Sequence, residues 1–254
     1  ALGGAVGLLL CEDTRRTGIL LRHVGVRPPR LAVCNDHTEA ARRVEVLDLL
    51  LAGTDVALVS DAGTPAIADP GERIVRAAID AGCPVSAVPG PNAGIMALTI
   101  SGLPTARFVF EGFLPRKGSE RAERLAELAD ETRTIVVYEA PHRVERTLSD
   151  LRDALGDDRM VVVTRELTKL HEEVVRGPVG ELDIGEPRGE YVLVIDGAPR
   201  AGAIADDDAV RRALRSALGS GATTRDAVAE VTRTSGRAKR EVYDLALTLP
   251  ERRS

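Results

Sequence analysis

Val56-Ala57-Leu58-Val59-Ser60-Asp61-Ala62-Gly63-Thr64-Pro65 decides the fold: a short β-branched apolar run ends abruptly in an acid, a glycine and a proline. The run is too short for a helix and does not alternate with polar residues, which predicts a strand covered on both faces, as in a parallel sheet. The DAGTP segment after it reads as a loop that lets a ligand approach the backbone. Downstream, Asp69-Pro70-Gly71-Glu72 supplies a cap acceptor, a proline suited to the first helical position and a reciprocal carboxylate ahead of Ile74, Val75, Ala78 and Ile79. A helix is predicted there, ending near Gly82.

The same grammar repeats further on. Pro84 to Val88 reads as a strand, Pro89-Gly90-Pro91-Asn92 as a loop and Ala93 to Ile100 as a helix. Ligands of open α/β sheets lie beyond the carboxyl ends of strands, where an acid binds a ribose hydroxyl. Two such loops in succession predict a nucleoside-like ligand, whereas one alone is better read as a tight turn.

Working outward, strands are expected at Leu8 to Cys11, Arg30 to Cys34 and Val56 to Ser60, with helices at Arg16 to His23 and Thr38 to Ala52. This is a parallel α/β layer. Phe108 to Pro115 reads as a strand running into a linker, followed by a charged helix from Ser119 to Ala129. The second half carries strands at Thr134 to Tyr138, Met160 to Thr164 and Tyr191 to Ile195, a helix at Val144 to Leu155, and an antiparallel strand at Glu173 to Gly177. The organisation expected is an α/β domain over 1–113, a second over 114–199, and a helical tail over 206–254. In the tail, Thr224 is read as a helix cap, and Ser235-Gly236 precedes a basic helix with Arg237, Lys239 and Arg240. That pattern fits a helix-turn-helix or, equally, a capped hairpin packed on its own unit.

At 254 residues and 44% hydrophobic, the chain can bury a substantial core. It contains no apolar run near the ~20 residues that span a bilayer, and no secretory leader pattern, so no membrane and a cytoplasmic location are expected. Cys11, Cys34 and Cys83 are odd in number and widely spaced, which fits reduced thiols. His23, His37, His142 and His171 show no metal-ligand spacing, so metal dependence is not expected. The net charge of −5 hides an asymmetry: from Ala209 onward it is +5, leaving −10 before. Aromatics are 2% with no Trp, so RNA contact by base stacking is not expected, while contact with phosphate remains open.

Four charged clusters complete the picture: Cys11-Glu12-Asp13-Thr14-Arg15-Arg16-Thr17, Tyr138-Glu139-Ala140-Pro141-His142-Arg143, Thr164-Arg165-Glu166-Leu167-Thr168-Lys169 and Gly189-Glu190-Tyr191. Three follow predicted strands directly, which gathers their charges at a sheet rim. Together and in this order, CEDTRRTG, VSDAGTP, PGPNA, EGFLPRKG, YEAPHR and TRELTK resemble the small-subunit ribosomal RNA methyltransferase I family of the tetrapyrrole methylase superfamily. The resemblance runs from about Leu8 to the C-terminus. It implies two α/β domains with S-adenosyl-L-methionine in the cleft between them, and methylation of the ribose 2′-hydroxyl of a decoding-centre cytidine in the 16S rRNA of the 30S subunit. It also implies a homodimer.

By position in the family pattern, Asp61, Gly63, Thr64, Gly90, Asn92 and Ala93 would line the cofactor on the first domain, and Tyr138, Thr164 and Glu190 on the second. Glu12, Glu139 and Lys169 are the catalytic candidates, with Asp13 and Glu166 as further acids. Lys169 is one of only three lysines among 34 basic residues, so it suits chemistry that guanidinium cannot perform. Arg15, Arg16, Arg143 and Arg165 are candidates for rRNA phosphates, or else members of intramolecular ion pairs. The family pattern also has a strand and Gly/Pro loop ahead of Ala1. Two rival readings stay open: a superfamily sibling acting on a tetrapyrrole or protein, and a non-enzymatic nucleoside sensor that binds DNA through the tail.

Overall fold

The computed structural model describes residues 6–27, 30–199, 206–219 and 221–249. The chain divides into two compact units, Ala1–Gly197 and Ala198–Ser254. The first unit contains a parallel three-stranded sheet and a mixed five-stranded sheet.

In the three-stranded sheet, β1 (Leu8–Cys11) is central, flanked by β2 (Arg30–Val33) and β3 (Val56–Leu58). β1 is buried throughout. Leu8 and Leu10 pack with Ala32, Cys34, Val46 and Ile74, a core supplied by helix α2 (Glu39–Leu51) and helix α3 (Glu72–Asp80). Helix α1 (Thr14–His23) follows β1, capped by the Asp13 side chain accepting from the Arg15 amide. The expectation that the 56–60 run is covered on both faces is corrected. β3 pairs only with β1 among the described residues and its side chains are half-buried.

The expected strand at Pro84–Val88 does not form. It pairs with no neighbour among the described residues, and Val85 and Val88 are 47% and 75% exposed. Pro84 and Pro89 bracket the run and cannot donate to a ladder.

The start of α3 also departs from expectation, since the cap is Gly71 and no side chain of its own segment bonds there. Instead, the buried Glu39 of α2 reaches across, its Oε1 accepting from the Gly71 and Arg73 amides at 3.0 and 2.9 Å. Gly71 sits at φ 136°, and a Cβ there would lie 2.3 Å from Leu58 Cδ2, so a side chain would be strained and would have to displace Leu58.

The five-stranded sheet has the order β4-β5-β8-β6-β7, built from β4 (Phe108–Phe113), β5 (Thr134–Glu139), β6 (Met160–Arg165), β7 (Glu173–Pro178) and β8 (Tyr191–Ile195). β4 precedes the expected 113/114 boundary yet pairs in parallel with β5, in the sheet that follows it. β5 and β8 are apolar runs because both faces are covered. Ile135, Val137, Val161, Val163, Leu193 and Ile195 meet Val144, Leu148 and Leu151 of α6 (Pro141–Leu155) and Leu128 of α5 (Ser119–Asp130). Alternate residues Val136, Val162, Val192 and Val194 meet Ala97 and Leu98 of α4 (Ala93–Ser101). Helix α4 leaves the first half of the chain and docks on the second sheet, so the loop before it is carried to that sheet.

The second unit holds α7 (Asp207–Gly219), α8 (Thr224–Ser235) and α9 (Lys239–Leu247) around Val210, Leu214, Val228, Val231 and Val242. The α8 cap is Thr223, not Thr224. Arg237 lies before α9, in the turn after the left-handed Gly236.

Candidate functional site

The carboxyl ends of β1 and β3 point the same way because the strands are parallel, which brings Glu12 and Asp61 together. Glu12 Oε1 accepts the Asp61 amide at 2.8 Å, and Arg16 pairs with the Asp61 carboxylate at 3.2 Å. The two Gly/Pro loops are joined as well: the Thr64 hydroxyl donates to the Pro91 carbonyl at 2.9 Å. Asn92 caps α4, its side chain accepting from the Ile95 amide. Within the same turn the Gly94 amide donates to the Tyr138 hydroxyl at 3.0 Å, so the end of β5 is fastened to the start of α4. Phe110 and Phe113 hold the Tyr138 ring edge-on. Burial raises the Tyr138 phenol, the Gly94 amide opposes this, and the Asp69 carboxylate adds to it.

Asp69 stands out on the loop between the Thr64 turn and α3. Ala66 and Ala68, at φ 66° and 58°, occupy the left-handed region that non-glycine residues rarely adopt. This twist carries the loop toward β4, where a Cβ on Gly112 would lie 3.8 Å from the Ala68 Cβ. Burial pushes the Asp69 carboxyl up to about 6, and the carboxylates of Glu12, Asp36 and Asp61 push the same way, while the Ser60 hydroxyl only partly opposes them. Among the described residues no Lys, Arg or His forms an ion pair with Asp69. The Ser60 hydroxyl is itself buried without a well-formed hydrogen bond.

A second charged cluster sits where β6 meets β8. Tyr191 at the start of β8 lies opposite both Glu139 and Arg165, so these strand ends share one rim of the sheet. Lys169 Nζ donates to Glu166 at 3.0 Å and to Glu190 at 2.8 Å, and the Glu190 amide donates to Glu166 at 2.8 Å. The two carboxylates raise the Lys169 ammonium above its ordinary range. The Glu190 amide and Lys169 lower Glu166. Glu166 and Thr168 are left-handed, and a Cβ on Gly189, itself at φ 72°, would lie 2.4 Å from Glu166 Cγ, so a side chain there would be strained and would displace Glu166. Beside this cluster lies an open depression of about 490 Å³ lined by Arg165, Glu166, His171 and Arg188. No hydrogen bond or ion pair joins it to the Glu12–Asp61–Tyr138 group among the described residues.

Several candidate residues have other duties. Glu139 is buried: it accepts from the Thr147 hydroxyl at 2.6 Å and the Ala140 amide at 2.9 Å, and pairs with Arg143 at 3.2 Å. Arg143 points inward, donating also to the Leu114 carbonyl, and Arg165 is committed to Glu173. The Thr164 hydroxyl is fully buried and donates to the Val192 carbonyl, so it is closed to a ligand. Arg15 and Arg16 remain largely exposed, at 88% and 75% of their side chains. Gly63 has open space around it at φ 75°, and Gly90 approaches only the Val88 carbonyl. Ala93 opens α4. The sequence reading missed Asp69 as a site residue because the Asp-Pro-Gly string doubles as a cap signature.

The chain matches the family model of Tetrapyrrole (Corrin/Porphyrin) Methylases over residues 4–183, and it belongs to that family. Solved structures agree on the fold: the methyltransferase CobJ has a TM-score of 0.54 at 16% identity, covering 77% of this chain and 97% of its own. Cobalt precorrin-4 methyltransferase CbiF has 0.52 at 18%, covering 75% and 84%.

Residues 204–250 match the RsmI C-terminal HTH domain. Three relatives called ribosomal RNA small subunit methyltransferase I extend the match. That of Synechocystis sp. is 43% identical over 96% of this chain and 89% of its own length. Those of Xylella fastidiosa and Mycobacterium tuberculosis are 46% and 43% identical, covering 81% and 94% of this chain and 75% and 85% of theirs. Within the tetrapyrrole methylases, the chain is a member of the ribosomal RNA small subunit methyltransferase I family. It is a methyltransferase. No helix among the described residues is long and apolar enough to cross a membrane.

Proposed function

We propose that this protein uses S-adenosyl-L-methionine to methylate the ribose 2′-hydroxyl of a decoding-centre cytidine in the 16S rRNA of the 30S subunit. The observation that carries the reading is the joined loop pair, Thr64 to Pro91, set on an acid-lined rim and tied to the second sheet through Gly94 and Tyr138. The relatives' shared name supplies the substrate class.

The residues present fit the cofactor. Its sulfonium and ammonium groups are cationic, and Glu12, Asp36 and Asp61 gather on one rim. The buried Ser60 hydroxyl lacks a well-formed hydrogen bond, and the open backbone at Gly63 leaves room for a ribose or a carboxylate to approach. When bound, the cofactor supplies an activated methyl group. The protein's task is then to align the acceptor oxygen and exclude water.

Asp61, Gly63, Thr64, Gly90, Asn92 and Ala93 form the cofactor side in this reading, and Tyr138 orders it from the second sheet. The exposed Arg15 and Arg16 suit contacts to rRNA phosphates, where each neutralised phosphate adds to salt sensitivity. The Lys169–Glu190 pair is a charged rim to the acceptor side rather than a base, since a lysine held between two carboxylates keeps its proton. A homodimer suits the exposed apolar side chains Ile95, Met96 and Ile100 on α4.

The deciding experiment transfers labelled methyl to small subunits that lack the modification, with free 16S rRNA and duplex DNA in parallel, followed by digestion to nucleosides. The expected product is 2′-O-methylcytidine from small subunits. Label on a different nucleoside, or none, rejects the reading.

A further inference from the structure

Methyl transfer to a ribose hydroxyl needs a group to receive the hydroxyl proton, and carboxylates near the site are numerous. Most are already engaged. Glu139 is enclosed by Thr147, Ala140 and Arg143. Glu12 accepts the Asp61 amide, and Asp61 is paired with Arg16. Asp13 caps α1 and pairs with Arg15. Glu166 and Glu190 share Lys169.

Asp69 differs on three counts. It forms no ion pair and accepts no backbone amide among the described residues. Its loop lies between the two sheets, with Gly71 against Leu58 of β3 and Ala68 beside Gly112 of β4, and the carboxyl is near enough to Glu12, Asp36, Asp61 and Tyr138 for their charges to couple. Its loop is fixed from both sides, by left-handed Ala66 and Ala68 before it and by Gly71, which Glu39 locks, after it. A base must be held in place and left without a competing cation, and this loop does both.

We propose that Asp69, held between the two sheets and paired with no cation, is the general base that takes the proton of the acceptor ribose hydroxyl. The assignment rests on the methyltransferase reading above. The O–H bond breaks as its proton passes to the Asp69 carboxylate. The hydroxyl oxygen forms a bond to the methyl carbon, and the carbon–sulfur bond breaks with its electron pair staying on sulfur. The charges balance, since the sulfonium becomes a neutral thioether and the proton leaves from Asp69 to solvent. With its carboxyl near 6, Asp69 is ionised at neutral pH yet basic enough to accept a proton.

The test compares the full-length wild type with Asp69→Asn and Asp69→Glu. Turnover on small subunits is followed against pH, cofactor affinity by calorimetry, stability by urea unfolding, and carboxyl titration by ¹³C NMR of the cofactor-free protein. In the wild type, a carboxyl absent from Asp69→Asn should titrate at about 6, and turnover should fall as pH drops below that value. Asp69→Asn should lose about 10²- to 10⁴-fold in kcat, lose the acid limb, bind cofactor within about twofold of wild type, and be no less stable. Asp69→Glu should recover part of the rate.

Three results overturn the role: kcat within about threefold of wild type, an unchanged acid limb, or a loss of cofactor affinity that accounts for the loss of rate. A wild type that methylates nothing rejects the methyltransferase reading itself, and the role with it. An active wild type with an active Asp69→Asn rejects only the role.

Discussion

Glu139 follows the end of β5 in a string that reads as chemistry, and the structure turns it into a prediction about stability. Its side chain is fully shielded from solvent and holds three donors: the Thr147 hydroxyl, the Ala140 amide and Arg143 Nε. Thr147 in turn accepts from Arg121 at 2.9 Å, and Arg121 bonds the Pro115 carbonyl and Asp150. The carboxylate therefore ties β5, α5, α6 and the segment after β4 into one network. Replacing Glu139 by Ala strands two buried donors and leaves Arg143 without its carboxylate. Breaking a buried pair in this way costs about 3–5 kcal/mol.

For a unit of 197 residues, each kcal/mol shifts Tm by about 2–4 °C, so a fall of about 6–20 °C is expected. Glu139→Gln keeps an acceptor but loses the charge, and should fall roughly halfway. Circular dichroism during heating and urea unfolding measures both variants without substrate. If Glu139 were instead the base, Glu139→Gln would lose turnover with its unfolding curve unmoved. An unmoved curve for Glu139→Ala refutes the network argument outright.

Further outcomes follow from single contacts. Glu39→Ala removes the acceptor for the Gly71 and Arg73 amides and should cost about 2–3 kcal/mol in urea unfolding, with Glu39→Gln recovering most of it. Gly71→Ala meets both the Leu58 clash and an unfavourable φ, so it should destabilise by more than about 2 kcal/mol, measured the same way. Burial raises the Cys34 thiol to about 11, so at pH 8 a thiol reagent should modify the part-exposed Cys83 first and reach Cys34 only on unfolding. Lys169→Ala removes a partner that lowers Glu166 and is itself raised. In urea unfolding followed against pH, the wild-type advantage over Lys169→Ala should be flat between the ordinary carboxylate and ammonium ranges, shrinking in acid as the lowered Glu166 protonates and in alkali as the raised Lys169 loses its proton.

Much of the fold is readable where one local cause acts alone. β1, β5 and β8 are unbroken apolar runs because both faces are covered, and such runs need no knowledge of the neighbours. Pro84–Val88 looks the same in composition, but a strand also needs a partner edge, and that is a property of the assembled sheet. Asp69-Pro70-Gly71-Glu72 carries every local cap signal, yet the cap comes from Glu39, 32 positions earlier. In the tail, Thr223 and Thr224 are chemically identical and only backbone geometry chooses between them. The joined loops were legible as a pair; the Thr64–Pro91 bond that joins them was not.

The charged strings show the same division at the level of chemistry. Sequence position brings Glu139, Arg143, Arg165, Lys169 and Glu190 to the sheet rim, and the fold then matches each acid with a base or a backbone donor. A carboxylate so matched is stabilised in its ionised form and becomes a poorer proton acceptor, as the lowered Glu166 illustrates. Reactivity is left to the acid that folding half-buries without a cation, and the same isolation makes it costly to the folded state. At neutral pH the raised Asp69 carboxyl opposes folding, because the folded protein must hold it ionised above its unfolded value of about 3.9. That penalty is present above pH ~6 and disappears below about 4. A residue retained purely for stability would carry the opposite sign, so a gain in stability for Asp69→Asn at pH 8 that vanishes in acid separates a functional acid from a structural one.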